Sequence, residues 1–216
     1  MPDIVISEFM DEAAIGTLRR EFDVLYDCTL VDQPDRLRGL AAEARALIVR
    51  NRTAVRGPLL ERARRLLCVG RLGVGLDNID TETCAARGIA VLPATGANVV
   101  AVAEYVIAAA MILLRGSWLS TAEMVAGAWP REQLVGREVS GKTMGLIGFG
   151  EIGREVAVRA GALGMQCIAY DPHRSPDDPR WALARRVALT ELLAQADVVS
   201  VHTPLTSDTM RLLDRD

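Results

Sequence analysis

The chain has 216 residues, half of them apolar, with 25 basic against 28 acidic side chains and a formal net charge of −3. That balance describes an ordinary soluble globular protein, long enough for one large domain or two small ones. It leaves no basic footprint for a nucleic-acid partner.

The acidic start, "MPDIVISEFMDE", has neither a basic n-region nor a long apolar core, so it does not read as a secretory leader. Residues 3–9 read as a strand, 11–22 as a helix, 23–27 as a strand, 33–44 as a helix and 46–50 as a strand. A helix over 57–66, a strand over 66–71, a short capped helix over 80–88 and a strand over 89–94 follow. Nearly continuous apolar strands separated by helices indicate a parallel sheet covered on both faces. The arginines in 62–67 and 183–189 read as solvated helix faces, and Cys28, Cys68, Cys84 and Cys167 as small buried hydrophobes in a reducing compartment. No C-x-x-C pair suggests a metal, so none is expected, and the compartment is read as cytoplasmic.

A long helix is expected over 98–114. It is apolar almost all round, which calls for burial between domains or subunits, with Glu104 a satisfied structural carboxylate. It falls short of the roughly 20 residues of a membrane span, so no membrane partner is expected. Residues 116–140 read as a helix followed by a connector. A second α/β unit then begins near Lys142, with strands over 143–148, 165–171 and 197–204 and helices over 151–164 and 188–196.

Gly148, Gly150 and Gly153 form G-x-G-x-x-G at the first strand-to-helix junction of that unit. The first glycine permits the tight turn, the second admits a pyrophosphate next to the backbone, and the third lets helix and strand pack closely. Asp171 closes the next strand, 18 residues after Gly153. A carboxylate there accepts hydrogen bonds from an adenosine ribose and repels a 2′-phosphate, which favours NAD over NADP. His173 and Arg174 follow at once and would soften that preference.

Six blocks in order, "LIVRNRT", "VGRLGVGLDNID", "GIAVLPATGANVVAVAEYVIAAAM", "GREVSGKTMGLIGFGEIG", "ALGMQCIAYDP" and "ADVVSVHTPLTSDT", cover nearly the whole chain. Together they resemble the D-isomer-specific 2-hydroxyacid dehydrogenase family, most closely its phosphoglycerate-dehydrogenase-like branch. The resemblance implies an α/β fold of two doubly wound parallel-sheet domains. One is a flavodoxin-like substrate domain and the other a Rossmann NAD-binding domain, both incomplete at the C-terminus. Residues 1–97 would be substrate domain, 98–140 an inter-domain helix and connector, and 141–216 NAD-binding domain. The helix near 98–114 would also join a homodimer.

Carried over residue by residue, the resemblance places Arg50, Asn51, Arg71 and Asn98 at a small anionic 2-hydroxy or 2-oxo acid, with the backbone of Leu72 and Gly73. Val74 would contact the nicotinamide end, and Arg131 would reach a neighbouring subunit's site. Glu151 and Ile152 would offer backbone amides to the pyrophosphate beside Gly148, Gly150 and Gly153. Asp171 would take the ribose, and His202, Thr203 and Pro204 would line the cofactor. Two arginines suit a substrate with a second anion, such as a phosphate or sulfonate.

The reaction also needs an arginine to polarise the carbonyl, an acid, and a carboxylate to orient it. The family's Arg, Glu and His for these tasks are expected beyond residue 216, and neither His173 nor His202 fits the role. No catalytic residue is therefore assigned within the chain, and these residues alone are expected to be inactive. Two other readings are an NAD(H)-sensing binding protein of the same fold and an S-adenosylmethionine methyltransferase. The second leaves "VGRLGVGLDNID" unexplained.

Overall fold

The computed structural model describes residues 1–214. The chain divides into two compact units, Met1–Ala97 and Asn98–Asp216. The first runs β1 (Ile4–Ile6), α1 (Glu12–Leu18), β2 (Val24–Tyr26), α2 (Pro34–Ala41), β3 (Ala46–Val49), α3 (Pro58–Arg62), β4 (Cys68–Arg71), α4 (Thr81–Ala86) and β5 (Ala90–Pro93). Its five strands are parallel in the order β2-β1-β3-β4-β5. This is the flavodoxin-like order, with its reversal between β1 and β3.

The period-two alternation of the strands decides which side chains meet which helices. Val5, Leu47, Val49 and Val69 pack with Leu37 of α2, Leu59 and Leu60 of α3 and Cys84 of α4. Ile4 and Ile6 point the other way, with Ala46 and Ile48, toward Ile15 of α1. Helix starts follow local chemistry. Asp11 accepts hydrogen bonds from the N–H groups of Ala13 and Ala14, Asp80 does so from Thr83, and prolines open α2 and α3.

Helix α3 stops at Arg62, four residues before the sequence pattern suggests. Arg87, just beyond α4, donates to the carbonyls of Leu60 and, at 2.6 Å, of Ala63. A guanidinium from elsewhere in the fold thus satisfies the helix's last carbonyls. Arg64 and Arg65 consequently lie in the turn after α3 and not on a helix face. The cysteine expectation holds only in part: Cys84 is buried, Cys68 and Cys167 are half-buried, and Cys28 is exposed. Burial pushes the thiols of Cys68, Cys84 and Cys167 up from the ordinary value.

The second unit holds α5 (Val99–Arg115), α6 (Thr121–Val125), β6 (Thr143–Ile147), α7 (Glu151–Ala162), β7 (Gln166–Tyr170), β8 (Arg185–Arg186), α8 (Leu189–Gln195) and β9 (Val198–Val201). Its strands are parallel in the order β8-β7-β6-β9. That matches the 3-2-1-4 portion of the Rossmann order. Ala103, Ala110 and Leu114 of α5 share a core with Val156, Ala157 and Ala160 of α7 and Met144 and Leu146 of β6. On the other face Ile147 and Ile168 pack with Leu192 of α8.

Two expectations fail here. Arg185 and Arg186 form an edge strand on Ile168 and Ala169, where pairing with β7 overrides any helical tendency. Glu104 is exposed, because only one flank of α5 is buried; Tyr105 and Leu113 on its other sides are 73% and 69% exposed.

Replacing Arg87 with Met should lower the stability of the first unit by about 1–3 kcal/mol, since carbonyls of α3 lose a charged donor. The check is a reduced urea midpoint at an unchanged denaturant slope.

Candidate functional site

In an open α/β sheet, ligands bind beyond the carboxyl ends of the strands where the strand order reverses. In the second unit that reversal falls between β6 and β9. Gly148 follows β6 directly and adopts φ +89°, a left-handed conformation that glycine takes at little cost. A Cβ there would stand 2.9 Å from the carbonyl of His202 and 3.2 Å from Cγ2 of Thr203, just past β9. His202 and Thr203 therefore flank the turn, while Pro204 is exposed. A Cβ on Gly153 would come within 2.6 Å of the Gly148 carbonyl, so the third glycine is what lets α7 close on the turn.

Gly150 differs, because a Cβ there would meet nothing within 4 Å. It is the N-cap of α7 and no side chain caps that helix. The first-turn amides at Glu151, Ile152 and Gly153 thus remain for an anion, favoured also by the helix dipole. Asp171 stands immediately beyond β7 and accepts from the Phe149 N–H at 2.9 Å and the His173 N–H at 3.0 Å. Its carboxylate therefore touches the glycine turn itself and keeps lone pairs for ribose hydroxyls. An open cradle with an acid at its edge fits a dinucleotide.

In the first unit the reversal lies between β1 and β3, and the strand ends there are fastened by Glu8. Its buried carboxylate accepts four backbone N–H bonds, from Arg50, Asn51, Arg52 and Thr53, at 2.9–3.2 Å. Burial alone would raise this carboxyl; the bonds from Thr53, Arg50 and Arg52 outweigh it and hold the group below its ordinary value. Asn78 adds donors to the carbonyls of Thr53, at 2.8 Å, and Arg50, at 3.3 Å. The side chains of Arg50 and Asn51 are left exposed, with Arg50 over the Phe9 ring.

Sequence reasoning missed Glu8 and Asn78. For Glu8 a signal existed: an acid directly after the apolar run "IVIS" at a strand end. Arg71 ends β4 in register with Val49, which places it beside Arg50. Its guanidinium folds over Gly73 and donates to the Leu72 carbonyl at 2.8 Å.

The backbone of Leu72 and Gly73 does not present free donors. The Leu72 N–H goes to Val49 and the Gly73 N–H to Arg71. Of these three residues, only Arg71, through its side chain, can hold an anion. Val74 is 45% exposed, and Asn98, the N-cap of α5, makes no side-chain capping bond. Arg131 is exposed. These last residues are accessible, but no hydrogen bond joins them to the others.

His173 is exposed at its side chain. His202 carries an Nε2 that is buried without a partner, and desolvation pushes its pKa down from 6.5, which keeps the ring neutral. Neither histidine is paired with a carboxylate among the described residues. No group of three or more potential metal ligands occurs among them, and no helix is long and apolar enough to cross a membrane.

Sheet order, glycine turn and acid define a dinucleotide-binding α/β protein joined to a flavodoxin-like unit. Comparison with known proteins gives the family. The family model for the NAD-binding domain of D-isomer specific 2-hydroxyacid dehydrogenases matches residues 107–216. The chain is 53% identical to an (S)-sulfolactate dehydrogenase of Chromohalobacter salexigens over 99% of its own length and 70% of the relative's. It is 37% identical to a D-3-phosphoglycerate dehydrogenase of Mycobacterium leprae, covering 100% of this chain but 40% of that one. Among solved structures, an NAD-dependent formate dehydrogenase from Staphylococcus aureus in complex with NAD superposes at a TM-score of 0.82, with 26% identity over 98% of this chain and 67% of that one.

The chain belongs to the D-isomer specific 2-hydroxyacid dehydrogenase family, and its coenzyme is NAD. It is thus a chain of an oxidoreductase family, and the relatives cited above are named as dehydrogenases.

Two glycine substitutions should part company. Gly148→Ala strains a left-handed residue against backbone and should cost folding of the second unit, seen as lost cooperative melting. Gly150→Ala meets open space and should leave melting unchanged while weakening NADH binding about tenfold or more; equal affinity would remove the cradle from the argument.

Glu8→Gln should destabilise the first unit by about 1–3 kcal/mol at neutral pH. The folded carboxyl is depressed, so its contribution is whole above about pH 4.5 and fades as pH falls through the lower folded value. Urea unfolding between pH 3 and 7 should therefore show a smaller acid loss in the variant.

Proposed function

We propose that this chain binds NAD across the glycine turn of its second unit and a small D-2-hydroxy acid, or the matching 2-oxo acid, at the strand ends of its first. It does so as part of a cytoplasmic NAD-dependent dehydrogenase. The observation that carries the reading is the turn from Gly148 to Gly153, open at Gly150 and edged by Asp171. Bound NAD supplies the hydride acceptor. The chain's own residues bind and orient: amides of Glu151, Ile152 and Gly153 at the pyrophosphate, Asp171 at the ribose, and His202, Thr203 and Pro204 as walls. The reading takes residues 1–97 as the substrate portion, 98–140 as an inter-domain helix and connector, and 141–216 as the NAD-binding portion.

Arg50, Arg71, Asn51 and Asn98 are the substrate residues of this reading. Register puts Arg71 opposite Val49, one residue before Arg50, so two guanidinium-bearing positions sit at adjacent strand ends. Arginines at two neighbouring strand ends would suit a substrate with an anion beside its carboxylate, since arginine's planar fork suits both carboxylate and phosphate or sulfonate. The names of the two curated relatives, a sulfolactate and a phosphoglycerate dehydrogenase, support that choice. The reading assigns no proton-transferring group to these residues. The exposed apolar side of α5, including Tyr105 and Leu113, is proposed as the homodimer face.

In the enzyme, sulfonated or phosphorylated 2-hydroxy acids should exceed lactate in kcat/KM by about tenfold or more. Arg71→Gln should erase most of that advantage while changing the NADH dissociation constant little. Equal kcat/KM for lactate and the dianionic acids would overturn the substrate class. Titration with NADH against S-adenosylmethionine tests the coenzyme separately.

A further inference from the structure

The segment after Asp171 is fastened to the glycine turn by an aromatic pair. Trp181 stacks on Phe149, the residue between the first two glycines, at 5.1 Å and 13°. Its indole N–H also donates to the Ser175 carbonyl at 2.8 Å. Residues 173–181 are thereby held at the edge of the cradle where Asp171 stands.

Two arginines sit in that segment. Arg174 places its Nε 3.7 Å from Asp171, with only 15% and 14% of the two side chains exposed. Arg180 lies close enough to Asp171 and Glu151 for both acids to raise its pKa, behind the larger effect of its bond to Asp178. The ribose acid thus has Arg174 against it, and Asp178 joins Arg180 to Arg174; arginine beside a ribose is what accommodates a 2′-phosphate.

Asp178 occupies both arginines. It accepts from Arg174 at 2.9 Å, from the Arg180 side chain at 2.7 Å and 3.0 Å, and from the Arg180 backbone N–H at 2.9 Å. Its side chain is 10% exposed. These bonds hold its carboxyl far below the ordinary aspartate value, so it stays charged throughout the physiological range. The two aspartates cancel the two arginines, while Glu151 adds one further negative charge at the start of α7.

Resting on the NAD reading above, we propose that Asp178 is a positioning residue for coenzyme choice. It ties up Arg174 and Arg180, so a latent 2′-phosphate subsite beside Asp171 stays neutralised and the chain selects NAD. Asp171 rejects the 2′-phosphate directly; Asp178 withholds the cations that would otherwise reward it.

The test is equilibrium binding of 5′-AMP and 2′,5′-ADP to the full chain, by calorimetry at low and high salt. Asp178→Asn preserves the side chain's size and its capping oxygen. Asp171→Asn alone should gain modest 2′,5′-ADP affinity. Asp171→Asn with Asp178→Asn should gain about tenfold more, as expected for a freed charged donor. That gain should fade at high salt, and 5′-AMP binding should be the same in the double variant as in Asp171→Asn alone. Adding Arg180→Gln or Arg174→Gln should abolish it.

If the double variant binds 2′,5′-ADP no better than Asp171→Asn, the role of Asp178 is overturned while the NAD reading stands. If the unaltered chain binds neither 5′-AMP nor NADH, both fall. Should the double variant misfold, as shown by circular dichroism, Asp178→Ser in the Asp171→Asn background decides in its place: a salt-sensitive gain in 2′,5′-ADP affinity supports the proposal, and no gain overturns it.

Discussion

The close approach of the turn after β6 to the end of β9 constrains everything that the second unit can do. A side chain at Gly148 would run into the backbone of His202, so the two strand ends meet only because nothing intervenes. Parallel pairing of β6 with β9 brings them together, and the positive φ of Gly148 turns the chain into α7 without a cap. Asp171 then secures the same turn from the far side, through the Phe149 amide. A carboxylate that ties down the loop is already fixed in place when a ribose arrives, which lowers the ordering cost of binding.

The first unit meets an equivalent constraint by different chemistry. Its strand-end turn, residues 50–53, contains no glycine, so a buried acid gathers four amides in place of a compact backbone turn. Buried backbone donors need partners, and one carboxylate with two oxygens can satisfy several. The arginine and asparagine side chains of that turn are then free to face outward on a rigid support.

Much of this could be read from the chain. Alternating apolar strands and helices of regular length led to two parallel sheets, and the glycine spacing marked the cradle with its acid. What escaped was tertiary. Arg87 ends α3 from a distant position, and no local pattern announces it. The two-residue strand β8 exists only through its partner, so "LARRVAL" reads as helix until β7 is in place. Asn78 was invisible because its bonds reach back 25 and 28 residues. Leu72 and Gly73 looked like a glycine-turn anion nest, yet their amides were claimed by neighbouring carbonyls.

The uneven exposure of the cysteines has a practical consequence. Thiolate, not thiol, reacts with alkylating reagents, so Cys68, Cys84 and Cys167, shielded and kept protonated, are poor targets. Cys28 alone is exposed, and it lies in the first unit, whereas Trp118, Trp129 and Trp181 all lie in the second. A maleimide dye on the unmutated chain would therefore sit on one unit with every indole donor on the other.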